Sequence, residues 1–224
     1  MKTLKKIWWR LLFASYALVY LPWFFFLESK ITMNYPNLHI INGPLDDMIP
    51  FCEVFIIPYF LWFAYIVASC VIMVLKADNQ EFIRFALSLI IGMSLCMVIC
   101  MVYPNGLTLR PDTLPDNVFG RLVAGLYATD TPTNVFPSIH VYNSIAVHTA
   151  LSKCKALKNH KGLLTGSLIL CILICMSTVF LKQHSLYDVG GAFVLMGVMY
   201  YVLYILPEKR AQRQAENEKH YASA

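Results

Sequence analysis

Long apolar segments recur along this chain, and they constrain its fold more than any other feature. A transmembrane helix needs about 20 mostly apolar residues, because the hydrocarbon core of a bilayer is roughly 30 Å thick. Six segments approach that length: 7–27, 55–75, 85–103, 135–151, 163–181 and 189–206. Of the 224 residues, 58% are hydrophobic and only 14% are charged, which is unlike a soluble domain. The sequence therefore predicts an all-α, polytopic membrane protein with six transmembrane helices in a bundle.

The distribution of lysine and arginine predicts the orientation of these spans. Basic residues are enriched in cytoplasmic loops, and an even number of spans places both termini on one side. If the N-terminus is cytoplasmic, four of the 18 lysines and arginines lie outside, namely Lys30, Arg110, Arg121 and Lys182. We therefore expect both termini in the cytoplasm. This asymmetry also accounts for the net charge of +5 without a nucleic-acid partner.

The chain is interpreted as a single domain, 1–224, with a motif-bearing core at about 83–206. The polar cytoplasmic tail, 207–224, is expected to fray or to lie on the surface. Two long loops, 28–50 and 104–133, are expected outside the membrane. The seven cysteines follow no C-x-x-C spacing, so we expect neither a disulfide framework nor a zinc site. We predict no bound metal and no cofactor.

Polar residues cluster at the external ends of the predicted spans. An ionisable side chain at membrane depth is costly, so it indicates a functional site. Arg110 lies in the second external loop, and Ser138 and His140 lie where the fourth span begins. A helix N-terminus there offers free backbone N–H groups to an anion. Polar residues inside a bundle also hold helices together, and that alternative stays open for this face.

A second polar group lies between the fifth and sixth spans. His184 and Asp188 are four residues apart, so they would share one face if this segment is helical. An aspartate beside a histidine fixes the orientation of the imidazole and stabilises its cationic form. Lys182 adds a cation nearby. Cations and backbone N–H groups hold an anion such as phosphate, while one histidine attacks it and another protonates the leaving oxygen.

These residues resemble the three motifs of the type-2 phosphatidic acid phosphatase superfamily, K-x6-R-P, P-S-G-H and S-R-x5-H-x3-D. The matching stretches are 103–111, 137–140 and 177–188. The chain departs from the motifs at Tyr103, Ile139 and Thr178, which replace a lysine, a glycine and an arginine. Lys182 either restores one of the two missing charges or extends towards the membrane surface. The spacing S-x4-K-Q-H-x3-D resembles more closely the branch of inositol phosphorylceramide synthase and sphingomyelin synthase.

The resemblance implies roles for the matched residues. His184 would be the nucleophile, Asp188 would orient it, and His140 would act as general acid and then as general base. The phosphate-binding residues would be Arg110, Ser138 and Lys182. Residues that would support the site are Ser177, Tyr103 and His148. We favour polar packing for His148, because it lies two turns deeper than His140. The outer-loop aspartates are expected to face solvent, although one of them could shape the headgroup pocket: Asp112, Asp116 and Asp130.

The resemblance also implies an enzyme, a phosphoric ester hydrolase or phosphotransferase acting on membrane lipids. The leading interpretation is a lipid phosphate or pyrophosphate phosphatase, acting on phosphatidic acid or a polyprenyl diphosphate. It would work through a phosphohistidine at the extracytoplasmic face of a plasma or inner membrane. One alternative is a headgroup phosphotransferase that takes a sphingolipid or phospholipid donor, as inositol phosphorylceramide and sphingomyelin synthases do. Another is a non-catalytic lipid-binding or transport protein on the same scaffold.

Overall fold

A computed structural model describes the backbone of residues 2–222 and the side chains of residues 7–218. The ends of the predicted domain, residues 1, 223 and 224, lie outside this part. The helices are α1 (Lys2–Leu11), α2 (Ala17–Lys30), α3 (Pro44–Asp47), α4 (Ile56–Lys76), α5 (Asn79–Val102), α6 (Val118–Thr129), α7 (Ile139–Lys153), α8 (Lys161–Phe180), α9 (Leu186–Tyr200) and α10 (Leu206–Ala222). Two short strands, β1 (His39–Ile40) and β2 (Asn105–Gly106), pair in parallel. The chain is thus nearly all-α, as predicted.

Within the described residues, five helical stretches are long and apolar enough to cross a bilayer. They are Ile7–Lys30, Glu53–Lys76, Asn79–Val102, Lys161–Phe180 and Leu186–Glu218. They coincide with five of the predicted spans, and the first runs through α1, a 3₁₀ turn and α2. These helices are consistent with a multi-pass integral membrane protein.

The predicted fourth span, 135–151, contains the shorter helix α7. With 15 residues, α7 is about 22 Å long, less than the hydrocarbon thickness of roughly 30 Å. It packs against α4, α5, α8 and α9, so it occupies the centre of the bundle. Its buried residues lie all around the helix rather than on one face: Val141, Tyr142, Asn143, Ser144, Ala146, Val147, Ala150 and Leu151. Two features therefore remain predictions. One is that α7 crosses the membrane as a sixth span, and the other is that both termini are cytoplasmic.

Close packing of α5 against α7 depends on a glycine. A Cβ atom on Gly92 would lie 2.0 Å from the ring of Tyr142, so only glycine leaves room for this side chain. The Tyr142 hydroxyl then donates to the backbone oxygen of Ser88, at 2.8 Å. Small residues allow helices in membranes to approach in this way. The contact fixes the central helix relative to α5.

A buried arginine of the first helix, Arg10, binds the C-terminal end of α4. The guanidinium of Arg10 donates to the backbone oxygens of Val74, at 2.7 Å, and Ala77, at 3.0 Å. Both oxygens lie at the C-terminal end of α4, where a helix needs donors from outside its own hydrogen-bond pattern, and the arginine supplies such donors. Asp78 and Glu81 then start α5 with reciprocal side-chain to backbone bonds of 2.8 Å.

The last span continues beyond its predicted end. A π-helical turn at Tyr201–Ile205 joins α9 to α10. Proline cannot donate a backbone hydrogen bond, and a local widening of the helix is one way to accommodate it just before Pro207. The tail 207–224 was expected to fray or to lie on the surface. In the structure the tail is helical as far as Ala222, and its residues 207–218 are exposed.

Candidate active site

His184 and Asp188 meet where α9 begins. Ser185 precedes the helix, and its hydroxyl accepts the backbone N–H of Asp188 at 3.2 Å. In return, Asp188 Oδ2 accepts the backbone N–H of Ser185 at 2.8 Å, which completes a capping box. The same Oδ2 lies 3.4 Å from His184 Nδ1. This pairing leaves the other ring nitrogen, Nε2, as the nitrogen available to a substrate.

His140 lies opposite His184. It is the second residue of α7, and its ring centroid is 5.8 Å from that of His184. Two aromatic side chains of α4 hold the imidazole, with centroids 4.7 Å away for Tyr59 and 4.4 Å away for Trp62. The backbone N–H of Ser138 donates to the backbone oxygen of Asp188 at 3.2 Å. The starts of α7 and α9 are therefore tied together, which sets the distance between the two histidines.

Arg110 is held by three oxygen acceptors next to the His184 segment. Its guanidinium donates to the backbone oxygens of Tyr127, at 3.2 Å, and Asp130, at 2.6 Å. A third bond of 2.5 Å goes to Oε1 of Gln183, the residue before His184. The guanidinium also lies 4.2 Å from the centre of the Tyr127 ring. Burial lowers the pKa of Arg110, and the negative charge of Asp130 opposes that shift, so the carboxylate helps to keep the arginine charged.

Tyr59, Asp130 and Gln183 form a network that the sequence analysis did not foresee. Asp130 Oδ2 accepts the Tyr59 hydroxyl at 2.8 Å and Gln183 Nε2 at 3.1 Å. Through these bonds the aromatic support of His140 is connected to the amide that holds Arg110. Asp130 is half-buried, so it does not face solvent as its place in the outer loop suggested. The position of Gln183 beside His184 could have indicated a role in the site. Tyr59 lies in an apolar run, so its sequence context gave no such indication.

The ammonium of Lys182 is bound by the loop between α2 and α4. Its ammonium donates to the backbone oxygens of Asp46 and Ile49, each at 2.6 Å. An ammonium has three N–H donors, so one remains. Burial lowers the pKa of Lys182, and the charges of Asp46 and Asp47 oppose this. Asp46 also accepts the backbone N–H of Leu186 at 2.7 Å, so the same loop caps α9.

The serines of the motifs are buried and engaged locally. Ser138 precedes α7, and its hydroxyl accepts the backbone N–H of Val141 at 3.4 Å. Ser177 donates to the backbone oxygen of Ile174 within α8, at 2.7 Å. Both serines are fully buried. In this structure, Ser138 therefore caps the start of α7, and Ser177 bonds within the last turns of α8.

The end of α8 carries the histidine segment. The backbone oxygen of Thr178 accepts the N–H groups of Gln183 and His184, both at 3.0 Å. Thr178 takes the place of the motif arginine, and its hydroxyl donates to the backbone oxygen of Cys175 at 2.8 Å. This position therefore supplies backbone support and no cation.

Tyr103 and His148 have partners elsewhere. Tyr103 stacks on His39 with ring centroids 4.1 Å apart, beside the paired strands β1 and β2. His148 lies about 12 Å deeper along α7 than His140. Its two ring nitrogens are 3.0 Å from the hydroxyl of Ser167 and 3.3 Å from that of Ser152. The contacts of His148 are those of polar packing between α7 and α8.

Within the residues that the structure describes, no cluster of three or more histidine, cysteine, aspartate or glutamate side chains could hold a metal ion. The site instead offers two imidazoles, one with a carboxylate, beside a guanidinium. Such a set can attack phosphorus, protonate a leaving oxygen and hold an anionic oxygen.

Comparison with known proteins gives one family. The profile of the PAP2 superfamily matches residues 81–212, which is more than half of the chain and includes Arg110, His140 and His184. No curated protein and no solved structure matches the chain. On this match, the chain belongs to the PAP2 superfamily.

Proposed function

We propose that this protein is an integral membrane enzyme that cleaves a phosphoester of a lipid through a phosphohistidine. Members of the PAP2 superfamily are phosphatases or phosphotransferases, and the apolar helices suit a substrate within the bilayer. The observation that carries the proposal is the pair of histidine rings 5.8 Å apart, with Asp188 3.4 Å from His184. Two imidazoles this close can act on one phosphoester, one as the nucleophile and the other as the acid for the leaving oxygen.

The first step forms the covalent intermediate. His184 Nε2 attacks phosphorus, the bond from phosphorus to the leaving oxygen breaks, and an N–P bond forms. His140 donates its proton to the leaving oxygen, which departs as a lipid alcohol or a headgroup alcohol. Asp188 stabilises the positive charge that develops on the His184 ring, and Arg110 stabilises the charge on the phosphate oxygens.

The second step regenerates the enzyme. His140, now neutral, takes a proton from the incoming hydroxyl group, whose oxygen attacks phosphorus and breaks the N–P bond. Water as the acceptor makes the protein a phosphatase, and a lipid hydroxyl makes it a phosphotransferase. His140 can activate either acceptor in the same way.

The loss of two motif cations favours the transferase alternative of the inositol phosphorylceramide or sphingomyelin synthase type. A phosphodiester donor carries one negative charge, so it needs fewer cations than a phosphomonoester. Two motif cations are replaced here: Thr178 is buried with a hydroxyl bonded within α8, and Tyr103 stacks on His39. We assign Lys182 to the first external loop rather than to the phosphate, since that loop occupies two of its donors. Arg110 is then the main cation for the phosphate.

We place the site at the extracytoplasmic face of a plasma or inner membrane. The distribution of basic residues supports cytoplasmic termini, with α7 as the sixth span. His140 and His184 lie at the same end of the bundle as the external loops 44–50 and 104–133, whereas Arg10 marks the other end. A lipid headgroup reaches that face from the outer leaflet.

Detergent-purified protein tests this function. Labelled phosphatidic acid and a polyprenyl diphosphate would be offered with and without diacylglycerol or ceramide as the acceptor. Free phosphate that disappears in His184→Ala supports a phosphatase, whereas label that moves to the acceptor supports a transferase. The matched control is His148→Ala, which removes a histidine outside the site. A protein that binds these lipids and phosphodiester lipids yet transfers label from none of them is the non-catalytic alternative.

A further inference from the structure

The one arginine of the proposed phosphate site carries its own counter-charge. Arg110 donates to Gln183 Oε1 at 2.5 Å, and the same amide donates to Asp130 Oδ2 at 3.1 Å. Arg110 also donates to the backbone oxygen of Asp130. Asp130 is fixed further by the Tyr59 hydroxyl at 2.8 Å. The carboxylate therefore stays next to the guanidinium instead of turning towards solvent.

A second carboxylate, that of Glu28, binds the segment that follows Asp130. Glu28, at the end of α2, accepts the hydroxyl of Thr131 and, at 2.9 Å, the side-chain amide of Asn134. Thr131 follows Asp130 in the chain, and Glu28 is among the charges that act on Arg110. Two carboxylates therefore contribute negative charge in the neighbourhood of the guanidinium, and Asp130 is the stronger of the two.

The remaining charges of the site are balanced as well. Before the first step His184 is neutral and His140 carries the proton, so the negative charge of Asp188 offsets the positive charge of His140. Two donors of Lys182 are bound to the backbone oxygens of the first external loop, where Asp46 and Asp47 compensate its charge. The site therefore has no surplus of positive charge.

This balance decides which phosphate esters bind well. A phosphomonoester loses its second proton near pH 6 and carries close to two negative charges above that pH. A phosphodiester carries one. An uncompensated negative charge in a partly buried site is costly, so a site with one balanced cation disfavours the dianion.

From this charge balance we infer that Asp130 tunes the site to a lipid phosphodiester with a single negative charge. The inference rests on the proposed function and narrows its donor. Asp130 is therefore a specificity-determining residue. Gln183 holds its negative charge near Arg110, where it lowers the net positive charge available to the phosphate, and Asp130 touches no reacting atom.

The test compares two donors that differ in one charge. Phosphatidic acid and its methyl ester, with identical acyl chains and labelled phosphorus, would be presented in the same mixed micelles at pH 8. A short-chain diacylglycerol would serve as an added acceptor. The rate at which label leaves each donor gives a diester-to-monoester ratio, whichever ester bond is broken. The variants are Asp130→Asn, which keeps the side-chain shape and removes the charge, and Tyr59→Phe, which keeps the charge and removes one hydrogen bond.

We expect the wild-type protein to favour the methyl ester. Asp130→Asn should lower the ratio by about tenfold or more, since one unit charge acts at short range in a partly buried site. Tyr59→Phe should leave the ratio unchanged even where both rates fall. If Asp130→Asn does not fold, Glu28→Gln should lower the ratio in the same direction by a smaller factor.

Two results would overturn the inference and leave the proposed function standing. One is a wild-type protein that turns over phosphatidic acid faster than its methyl ester. The other is a ratio that the charge-removing variants do not change. If label leaves neither donor, the proposed function fails, and the inference fails with it.

Discussion

One oxygen of Asp188 has two partners: it accepts the backbone N–H of Ser185 at 2.8 Å and lies 3.4 Å from Nδ1 of His184. The carboxylate thus starts α9 and faces the imidazole at the same time. Starting a helix requires only an acceptor. Stabilising the imidazole requires a negative charge as well, because the ring becomes positive during the reaction. The two roles can therefore be separated by substitution.

We predict that Asp188→Asn lowers kcat by at least about 100-fold, because an amide does not stabilise the imidazolium. Ser185→Ala removes the helix cap and leaves the His184–Asp188 contact in place. It should lower the free energy of unfolding by about 1 kcal/mol with a much smaller effect on kcat. Turnover and thermal unfolding of both variants in detergent are the measurements. Equal losses of kcat would mean that Asp188 acts only through the helix start.

Arg110→Lys should raise KM for the lipid donor more than it lowers kcat. A lysine lacks the planar fork that reaches Tyr127, Asp130 and Gln183 together, so it cannot be held in the same place. The matched control is Arg121→Lys, at an exposed arginine that contacts only Asp116 at 3.4 Å among ion-pair partners in the described residues. Michaelis–Menten curves for both variants decide the point, and a similar KM for the two would contradict the role of Arg110.

Lys182→Ala should destabilise the protein without weakening substrate binding. The substitution leaves the backbone oxygens of Asp46 and Ile49 without their donor, which costs about 1–3 kcal/mol for buried groups. Thermal unfolding should therefore shift to lower temperature while KM is preserved. The opposite pattern, an unchanged unfolding temperature with a raised KM, would restore the phosphate-binding role that the motif spacing predicts.

His140→Gln should abolish turnover of lipid esters, whereas His148→Gln should keep it. The loss in His140→Gln should be smaller for a nitrophenyl phosphate ester, whose leaving group departs without a proton. Rates for both esters in both variants provide the check. An equal loss for the two esters in His140→Gln would exclude a role in protonating the leaving group.

The sequence is sufficient for the features that local patterns encode. The i, i+4 spacing of His184 and Asp188 predicts that the two side chains meet, and they lie 3.4 Å apart. The structure places Asp188 in the first turn of α9 and His184 just before that helix. The position of His140 after Ser138 similarly predicts a helix N-terminus, which the structure places at Ile139.

Features that depend on contacts between distant segments could not be predicted. The partners of Lys182 are backbone oxygens about 130 residues away, so no pattern near the lysine encodes them. Tyr59 stands in an apolar run, where an aromatic residue is expected for packing alone. The short length of α7 could not be predicted for a similar reason, because hydrophobicity does not distinguish a central helix of the bundle from a helix that spans the whole membrane.

Covalent trapping of the phosphorylated protein is the most direct test of a phosphohistidine at His184. Purified protein turning over a lipid donor with labelled phosphorus, monoester or diester, would be quenched in denaturant and separated from the lipid. We predict label on the wild-type protein that is lost in acid, as a phosphohistidine requires, and none on His184→Ala. Label that persists in His184→Ala, or a wild-type protein that turns over the donor without becoming labelled, would contradict it.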